Sequence, residues 1–377
     1  MNGLPVRIEK VRSKKDLKRF ITLPGKIYRD NPFWVPPLIA EEKKLLSPRR
    51  NPFWEHASRT LFIATRGGED VGRIAAIEDR DFIAYHNEPT GYFGFFESLD
   101  DREVARALFA GAESWLKGRD LKKMIGPLNP STNGVCGLLL EGYDSPPKLM
   151  MPYTLPYYHR LLKECGLFKA KDLLAYRIPV PEKMNPRLEK ISAILRKKGL
   201  NVRNIRMKNF LQELKLVREI YNAAWSRNWG FVPISESEIE HMAKELKPLI
   251  VPELVFFAEY KGKPVGFYLV LPDYNQVIKK MNGKMGPIQI IKFLRGRKKI
   301  TDIRLMMAGI EEEYQKRGLD ALLYLESARA ARDLGFKDSE ISWLLEDNIL
   351  VIRAAEMMGG TLCKKYRIYE KSFQDFS

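Results

Sequence analysis

The chain has 377 residues, of which 45% are hydrophobic and 29% charged, and its formal net charge is +17. No apolar run approaches the ~20 residues that a membrane-spanning helix needs, which excludes an integral membrane protein built from such helices. The N-terminal sequence MNGLPVRIEK has no apolar signal-peptide region, so we expect a globular, cytoplasmic protein of about two domains.

The first predicted strands form a pattern that recurs later in the chain. Residues 61–79 read LFIATRGGEDVGRIAAIED and residues 255–273 read VFFAEYKGKPVGFYLVLPD. Five residues recur at the constant offset of 194 that separates Gly72 from Gly266: Phe62, Ala64, Val71, Gly72 and Asp79 match Phe256, Ala258, Val265, Gly266 and Asp273. Two apolar strands around a glycine-containing turn predict a β-hairpin. The constant offset predicts a duplicated unit.

The repeat extends beyond the hairpin on both sides. Ile27 and Tyr28 correspond to Ile220 and Tyr221, and a predicted helix ends at Gly166 in one copy and at Gly360 in the other, again 194 residues apart. A proline-bounded linker lies at residues 179–186. We therefore predict two domains, residues 1–180 and residues 187–377, each large enough for its own core.

The first copy contains a long insertion, residues 126–156. Its many Gly, Pro and Asn residues predict turns, while interleaved Leu, Met and Tyr residues predict order. Two interpretations stay open: a wall of a substrate pocket between the domains, or a β-hairpin plug that completes the core of the first domain. We interpret His56 and His159, which lie beside aromatic residues, as hydrogen-bonded structural groups.

The sequence predicts no metal site and no disulfide. The chain has only four His residues and no H-x-x-H spacing. Its three cysteines, Cys136, Cys165 and Cys363, have no C-x-x-C spacing, so we interpret them as reduced thiols.

The second copy contains a strongly basic segment, residues 276–299. It has eight Lys and Arg residues and no acid, with apolar residues interleaved among them. This composition is typical of a helix that lies on an anionic membrane or binds a polyphosphate. Nucleic acid is a weaker prediction, since neither an RNA-recognition sheet nor a helix-turn-helix pattern is present. A solvated insertion between strands is the plain alternative.

A predicted strand, a basic turn and a predicted helix follow the basic segment. They are residues 303–309, 310–317 and 318–333. A helix N-terminus after a basic turn presents backbone N–H groups and positive dipole to an anion. Residues 313–323 (EYQKRGLDALL) resemble the acyl-CoA signature of the GCN5-related N-acyltransferase (GNAT) superfamily. The whole chain resembles bacterial proteins with two such domains in tandem and is similar to some bacterial ceramide synthases, which transfer an acyl chain from a thioester to an amine.

The resemblance implies an α/β fold of tandem domains, each with a mixed, mostly antiparallel central sheet flanked by helices. It also implies an acyl-CoA or acyl-carrier-protein co-substrate and an amine acceptor. By this resemblance the co-substrate would contact Met307, Ala308, Gly309, Gln315, Lys316, Arg317, Gly318, Leu319, Ala321 and Asn348.

Transfer to an amine needs a general base, an N–H donor for the thioester carbonyl and an acid for the leaving thiolate. Glu311 is our predicted base, with a solvated turn as its alternative. Tyr366 is our predicted acid, with Tyr369 as a second choice, and a purely structural role in the core is the alternative for both. The donor is expected in the backbone of residues 307–309.

The sequence departs from the superfamily pattern at two positions of the second copy and throughout one turn of the first. Asp320 stands where the motif has a second Gly or Ala, so we expect its carboxylate to point away from a bound phosphate. Ala355 stands where the superfamily often has a general-acid Tyr. In the first copy the matching turn, residues 97–101, reads ESLDD, so we expect no CoA binding there. Two functions follow: an N-acyltransferase, or an inactive protein of the same fold that binds anionic lipid or nucleic acid.

Overall fold

The structure is a computed structural model that describes residues 4–373. The strands of the first half are β1 (Arg7–Lys10), β2 (Ala57–Arg66), β3 (Glu69–Asp79), β4 (Thr90–Ser98), β5 (Lys123–Gly126), β6 (Leu128–Asn129), β7 (Val135–Cys136), β8 (Leu138–Glu141) and β9 (Phe168–Pro179). The helices are α1 (Lys14–Thr22), α2 (Pro24–Ile27), α3 (Ile39–Leu45), α4 (Phe53–His56), α5 (Arg80–His86), α6 (Arg102–Lys117) and α7 (Tyr158–Glu164).

The second half continues with the same alternation of strands and helices. Its strands are β10 (Leu200–Asn204), β11 (Val255–Tyr260), β12 (Lys263–Pro272), β13 (Asp302–Ile310), β14 (Asp338–Leu345) and β15 (Thr361–Ser372). Its helices are α8 (Pro186–Lys197), α9 (Phe210–Trp225), α10 (Glu236–Leu246), α11 (Asn275–Ile278), α12 (Pro287–Gly296), α13 (Leu319–Asp333) and α14 (Ile349–Met357).

The chain divides into two compact units that are not consecutive stretches of sequence. Unit 1 contains residues 4–174, 275–296 and 364–373, and unit 2 contains residues 175–274 and 297–363. The basic segment and the end of the last strand therefore belong largely to unit 1, although they come from the second copy of the repeat. The domain boundaries at 180 and 187 remain a prediction about which parts fold independently.

Unit 1 is a mixed sheet with α6 on one face and, on the other, Phe20 of α1 and Tyr28 at the end of α2. Strands β1, β2, β3 and β4 are antiparallel neighbours, and β5 runs parallel to β4. The final residues of β15 pair antiparallel with β5 and β8. Helix α6 has apolar residues four apart, which form one apolar stripe, and all are buried in the core of unit 1: Val104, Leu108, Ala112 and Leu116.

Unit 2 repeats this plan and has helices on both faces. Strands β10, β11, β12 and β13 are antiparallel neighbours, and β14 runs parallel to β13. Leu319, Leu322 and Leu323 of α13 pack with Phe256 and Val265 on one face. On the other face, α9 and α10 bury Phe257 and Phe267.

The strand registers confirm the predicted duplication. Ala64 pairs with Gly72 in unit 1 and Ala258 pairs with Gly266 in unit 2, and in each hairpin the register shifts directly after the alanine. Gly72 permits a close approach of α6, since a Cβ atom there would lie 2.8 Å from Leu108 Cδ1. The mixed α/β fold expected for each copy is confirmed.

The insertion at residues 126–156 is ordered and contributes to unit 1. It contains the small antiparallel pair β6 and β7, and β8 pairs with β15. Leu138 belongs to the core of unit 1, which agrees with the plug interpretation, while a role in a substrate pocket stays a prediction. Within residues 4–373, no helix has both the length and the apolar character needed to cross a membrane.

Candidate functional site

The candidate site in unit 2 begins at an open edge of β13. The parallel pairing of β13 with β14 starts at Asp302 and Asp338 and ends at Leu305 and Ile341. β13 continues to Ile310. The last five residues of this strand therefore have β12 on one side and no strand on the side from which β14 has diverged.

The pairing with β12 decides which backbone groups face the open edge. Glu311 N–H donates to Val265 O at 2.9 Å, and the register continues without a shift back to Met307. Because backbone groups alternate in direction along an antiparallel strand, Met307 and Gly309 face β12. Ala308 and Ile310 face the open edge.

The carbonyl groups on the open edge are satisfied by side chains. Trp225 Nε1 donates to Ala308 O at 2.8 Å, and Gln315 Nε2 donates to Ile310 O at 3.0 Å. The N–H groups of Ala308 and Ile310 face the same side without a partner strand. They are donors for a ligand carbonyl that extends along this edge.

The turn after β13 leads to a helix N-terminus without a side-chain cap. Gly318 is the N-cap of α13, has φ of 89°, and no side chain caps this helix within the described chain. Its first N–H groups have no partner within the helix and are open to water or a ligand. Lys316 and Arg317 are exposed directly before it, and the Arg317 guanidinium stacks 5.3 Å from the Tyr314 ring centroid. Positive charge and helix dipole combine here to favour an anion.

The fold itself requires a glycine at position 318, for a reason that involves no ligand. Its left-handed φ favours glycine, and a Cβ atom there would lie 2.8 Å from Leu195 Cδ1 of α8. A substitution at Gly318 would therefore strain the fold as well as the predicted phosphate contact.

Four acids lie in or beside this turn, and their charge opposes that of Lys316 and Arg317: Glu311, Glu312, Glu313 and Asp320. Glu311, the predicted base, is half-buried, with Oε2 lying 3.6 Å from Lys263 Nζ. Asp320 is exposed in the first turn of α13. Burial, with a smaller contribution from the Asp320 charge, raises the pKa of Tyr268, so this carboxylate lies near that side of the sheet.

The remaining predicted residues have structural roles of their own. Asn348 caps α14 by accepting a hydrogen bond from Val351 N–H at 3.4 Å. Tyr366 is fully buried on β15, opposite Leu139 of β8, and so belongs to unit 1, whereas Glu311 belongs to unit 2. Tyr369 is hydrogen-bonded to His159. Leu319 is buried beneath the turn, and Ala321 lies in the first turn of α13.

In unit 1, side chains occupy the strand edge and the helix N-terminus that correspond to the open ones in unit 2. Leu99 N–H donates to Val71 O at 3.0 Å, in the same register as Glu311 and Val265, so Ser98 takes the place of Ile310. Ser98 N–H donates to the Tyr158 hydroxyl at 3.2 Å, and the Tyr157 hydroxyl donates to Ser98 O at 2.7 Å.

The N-terminus of α6, the helix after β4, is capped as well. Asp101 caps α6 by accepting from Glu103 N–H at 2.9 Å and Val104 N–H at 3.2 Å. The absence of CoA binding that we expect in this half therefore has two physical reasons. The tyrosines were visible in the sequence, but nothing local indicated that they would reach the end of β4.

The histidines are hydrogen-bonded, as expected. His56 Nδ1 lies 2.9 Å from Asp79 Oδ1, and Asp79 is a buried residue that also caps α5. Among residues 4–373, no group of three or more His, Cys, Asp or Glu residues is arranged to hold a metal ion.

Comparison with known proteins identifies close relatives. No family model matches the chain. The chain is 37% identical to "Bacterial ceramide synthase" of Caulobacter vibrioides (strain NA1000 / CB15N), with 96% of each chain covered. It is 36% identical to "Protein YghO" of Escherichia coli (strain K12), with 95% of this chain and 93% of the other covered.

Solved structures share the fold at low sequence identity. A tandem GNAT protein from the clavulanic acid biosynthesis pathway matches with a TM-score of 0.58 and 12% identity over 99% of this chain and all of the other. The GNAT region of a fungal multi-domain β-N-acetylglucosaminidase matches with a TM-score of 0.59 and 12% identity over 98% of this chain and 38% of the other. At this identity the likeness concerns the fold alone.

Proposed function

Because the chain belongs to the family of the Caulobacter bacterial ceramide synthase and protein YghO, with the tandem GNAT fold, we propose that it transfers an acyl group from acyl-CoA or acyl-carrier protein to an amine. One observation carries the proposal. In unit 2 a strand edge that has no partner strand among the described residues leads directly into a helix N-terminus without a side-chain cap, beside two cations. Acyl-CoA matches this arrangement, because its thioester arm has carbonyl groups that accept hydrogen bonds and its phosphate end is negatively charged.

The proposed reaction needs no covalent intermediate with the protein. The Ala308 N–H donates to the thioester carbonyl oxygen and stabilises the charge that develops there. The amine nitrogen forms the C–N bond, the C–S bond breaks, and Glu311 takes the amine proton. The leaving thiolate takes up a proton, which completes the exchange. The role of Tyr366 as an acid stays a prediction from the sequence.

We further propose a long-chain amine as the acceptor. The support is the name of the Caulobacter relative, since a ceramide is the amide of a fatty acid with a long-chain amino alcohol. In that case the acyl-CoA donor also carries a long chain.

Thermal unfolding with CoA, acetyl-CoA and palmitoyl-CoA tests the thioester site. A ligand that binds only the native state raises its stability, by about 2.7 kcal/mol at 100 times its Kd. We expect palmitoyl-CoA to raise Tm, and a long-chain amine to release free thiol from it. A Tm shift without thiol release would show binding without catalysis. The absence of any shift would overturn the proposed acyl transfer and favour the inactive protein that binds anionic lipid or nucleic acid.

Paired proline substitutions test the donor on β13. Ala308→Pro removes an N–H that faces the open edge, where the strand tolerates its loss. Met307→Pro removes an N–H that faces β12. It should lower the free energy of unfolding of the ligand-free protein by about 3 kcal/mol or more, and Tm falls with it. We expect Ala308→Pro to retain the fold and lose most thiol release. Unchanged activity in Ala308→Pro would exclude this donor.

The basic segment supports attachment to an anionic membrane. In α12 none of the ten residues is buried, so its apolar residues are exposed together with its cations: Ile288 is 66%, Ile291 51% and Leu294 47% exposed. Both faces of an amphipathic helix are thus uncovered in unit 1. We propose that α12 lies in the interface of an anionic bilayer with its apolar residues among the acyl chains.

Contacts of its flanking residues anchor this helix to unit 1. Gly283 O accepts from Ile39 N–H at 3.0 Å, Asn275 Nδ2 donates to Pro147 O at 2.8 Å, and Lys279 Nζ donates to Pro32 O. The segment is therefore held in place while α12 itself stays uncovered.

Vesicle co-sedimentation tests the attachment. We expect binding to vesicles of anionic lipid, weaker binding at high salt, and little binding to neutral phosphatidylcholine. Changing Ile288, Ile291 and Leu294 to Ser should abolish binding, whereas Leu211→Ser, at an equally exposed leucine elsewhere, should not. Equal binding to both vesicle types, or to nucleic acid in preference to lipid, would contradict this surface assignment.

A further inference from the structure

Unit 1 contains a buried polar cluster that the proposed chemistry of unit 2 does not use. It is built around Glu97 of β4, whose side chain is 13% exposed. The other members come from four different elements of the unit: Arg73 on β3, Glu42 on α3, Tyr28 at the end of α2 and Tyr158 on α7.

The repeat shows that the position of this cluster is special to unit 1. Glu97 pairs with Arg73 as Gly309 pairs with Phe267 in unit 2. In unit 2, Phe267 lies in an apolar core with Tyr221, the counterpart of Tyr28. One face of the same fold therefore holds a carboxylate and a guanidinium in unit 1 and only apolar groups with a tyrosine in unit 2.

The hydrogen bonds leave one oxygen of Glu97 without a donor. The Tyr28 and Tyr158 hydroxyls donate to Oε2 at 2.8 and 2.7 Å. Oε1 lies 3.7 Å from Arg73 Nη2, which is beyond hydrogen-bond distance. Arg73 is 4% exposed, and its Nε has no hydrogen-bond partner among the described residues. The cluster therefore leaves one carboxylate oxygen open to a further donor.

The charges are also unbalanced. Two carboxyl groups, Glu97 and Glu42, face a single guanidinium, Arg73. Burial raises the pKa of both carboxyls, although Arg73 opposes the rise. Burial also raises the pKa of the tyrosines that face Glu97, so they remain neutral donors: Tyr28, Tyr157 and Tyr158. The cluster therefore has room for one more positive charge, as a proton or as a bound cation.

We propose that Glu97 binds the protonated nitrogen of a primary amine. An ammonium N–H supplies the donor that Oε1 lacks and the charge that the two carboxyls lack. Trp34 is half-buried and stacks on Tyr28, with ring centroids 5.0 Å apart, which offers apolar surface beside the amine. This binding does not depend on the proposed acyl transfer.

Titration calorimetry without any thioester tests the binding. The probes are n-octylamine, 1-octanol and octyltrimethylammonium, which separate the N–H donor from the chain and from the charge. We expect octylamine to bind tightest to the wild-type chain. Glu97→Gln keeps the size and the tyrosine hydrogen bonds and should weaken octylamine binding about 10- to 100-fold. Glu88→Gln, at an exposed carboxylate paired with Lys123, should leave it unchanged.

Proton release gives a second readout. Because the pKa of Glu97 is raised, ammonium binding at mildly acidic pH should displace a proton, measurable as a dependence of the heat on buffer ionisation, and Glu97→Gln should remove it. Equal binding of octylamine and octanol, or equal binding by Glu97→Gln, would overturn the assignment. A palmitoyl-CoA shift without amine binding would reject this inference alone. Amine binding without a palmitoyl-CoA shift would reject the proposed function alone.

Discussion

Helices α6 and α13 hold the same place in the two units, yet their N-termini are opposite in character. α6 begins at Asp101, whose carboxylate satisfies its first N–H groups, whereas α13 begins at Gly318 without a side-chain cap. The strands before the two helices differ in the same way. In unit 1, tyrosine hydroxyls form hydrogen bonds with the backbone of Ser98 at the edge of β4. A duplicated fold can thus keep one anion site open and close the other with a few side chains.

The two units also differ on the opposite face of the sheet. Where unit 2 has Gly309 against apolar side chains, unit 1 has Glu97 among two tyrosines and Arg73. The open helix of unit 2 suits an anion, and the carboxylate cluster of unit 1 suits a cation. The comparison therefore assigns the proposed anion site to unit 2 and the proposed cation site to unit 1.

The largest expected effect comes from reversing the charges beside α13. Lys316→Glu with Arg317→Glu replaces two cations near the proposed phosphate by two anions. We expect acyl-CoA binding, measured by calorimetry, to weaken at least about 100-fold, since charge-assisted contacts contribute about 1.5–3 kcal/mol each. Lys208→Glu with Lys215→Glu makes the same change at exposed lysines of unit 2 and should have little effect. Equal losses in both variants would show that only net charge matters.

A smaller effect, of about 2 kcal/mol on stability, is expected from Asp172→Asn in unit 1. Burial raises the pKa of Asp172, but hydrogen bonds from Arg367, Lys169 and Lys365 outweigh it and lower the pKa to about 2. The stabilisation is therefore fully present above about pH 4, the ordinary value for Asp, and is lost as the pH falls through 2.

Chemical denaturation of wild type and variant between pH 7 and pH 2 checks this expectation. The matched change in unit 2 is Asp338→Asn, whose partner Arg177 is 60% exposed. It should cost less than about 1 kcal/mol. A difference between wild type and Asp172→Asn that does not shrink toward pH 2 would contradict the assignment.

Removing the cap of α6 should cost about 1 kcal/mol. Asp101→Ala leaves the first N–H groups of α6 without an acceptor, while Asp101→Asn keeps an acceptor and should cost less. Urea denaturation measures both. We expect neither variant to bind acyl-CoA at α6, because the tyrosines still fill the edge of β4. A second CoA site in Asp101→Ala would show that the cap alone excludes the ligand.

The smallest effect is expected at Asp320. Its carboxylate stabilises the N-terminus of α13 by about 0.3–1 kcal/mol and would repel a nearby phosphate to a similar extent. Asp320→Asn should thus slightly lower stability and tighten acyl-CoA binding about 2- to 5-fold. Asp333→Asn, at the other end of α13, should not tighten it. Weaker binding by Asp320→Asn would place this carboxylate among the ligand contacts instead of away from them.

The sequence by itself determined the features that depend on neighbours along the chain. The hairpins at Gly72 and Gly266, the basic turn at Lys316 and Arg317 and the helix that follows all came from local pattern, and the 194-residue offset revealed the duplication. Turn residues, periodicity and helix caps act over a few residues.

Only the tertiary structure decided which atoms these features present. The register against β12 turns Ala308, and not Met307, toward the open edge. Packing of α7 brings Tyr158 to Glu97 across 61 residues, and residues 275–296 and 364–373 join unit 1 although they follow the second hairpin. Strand register and long-range packing depend on partners distant in sequence, so no local pattern could have specified them.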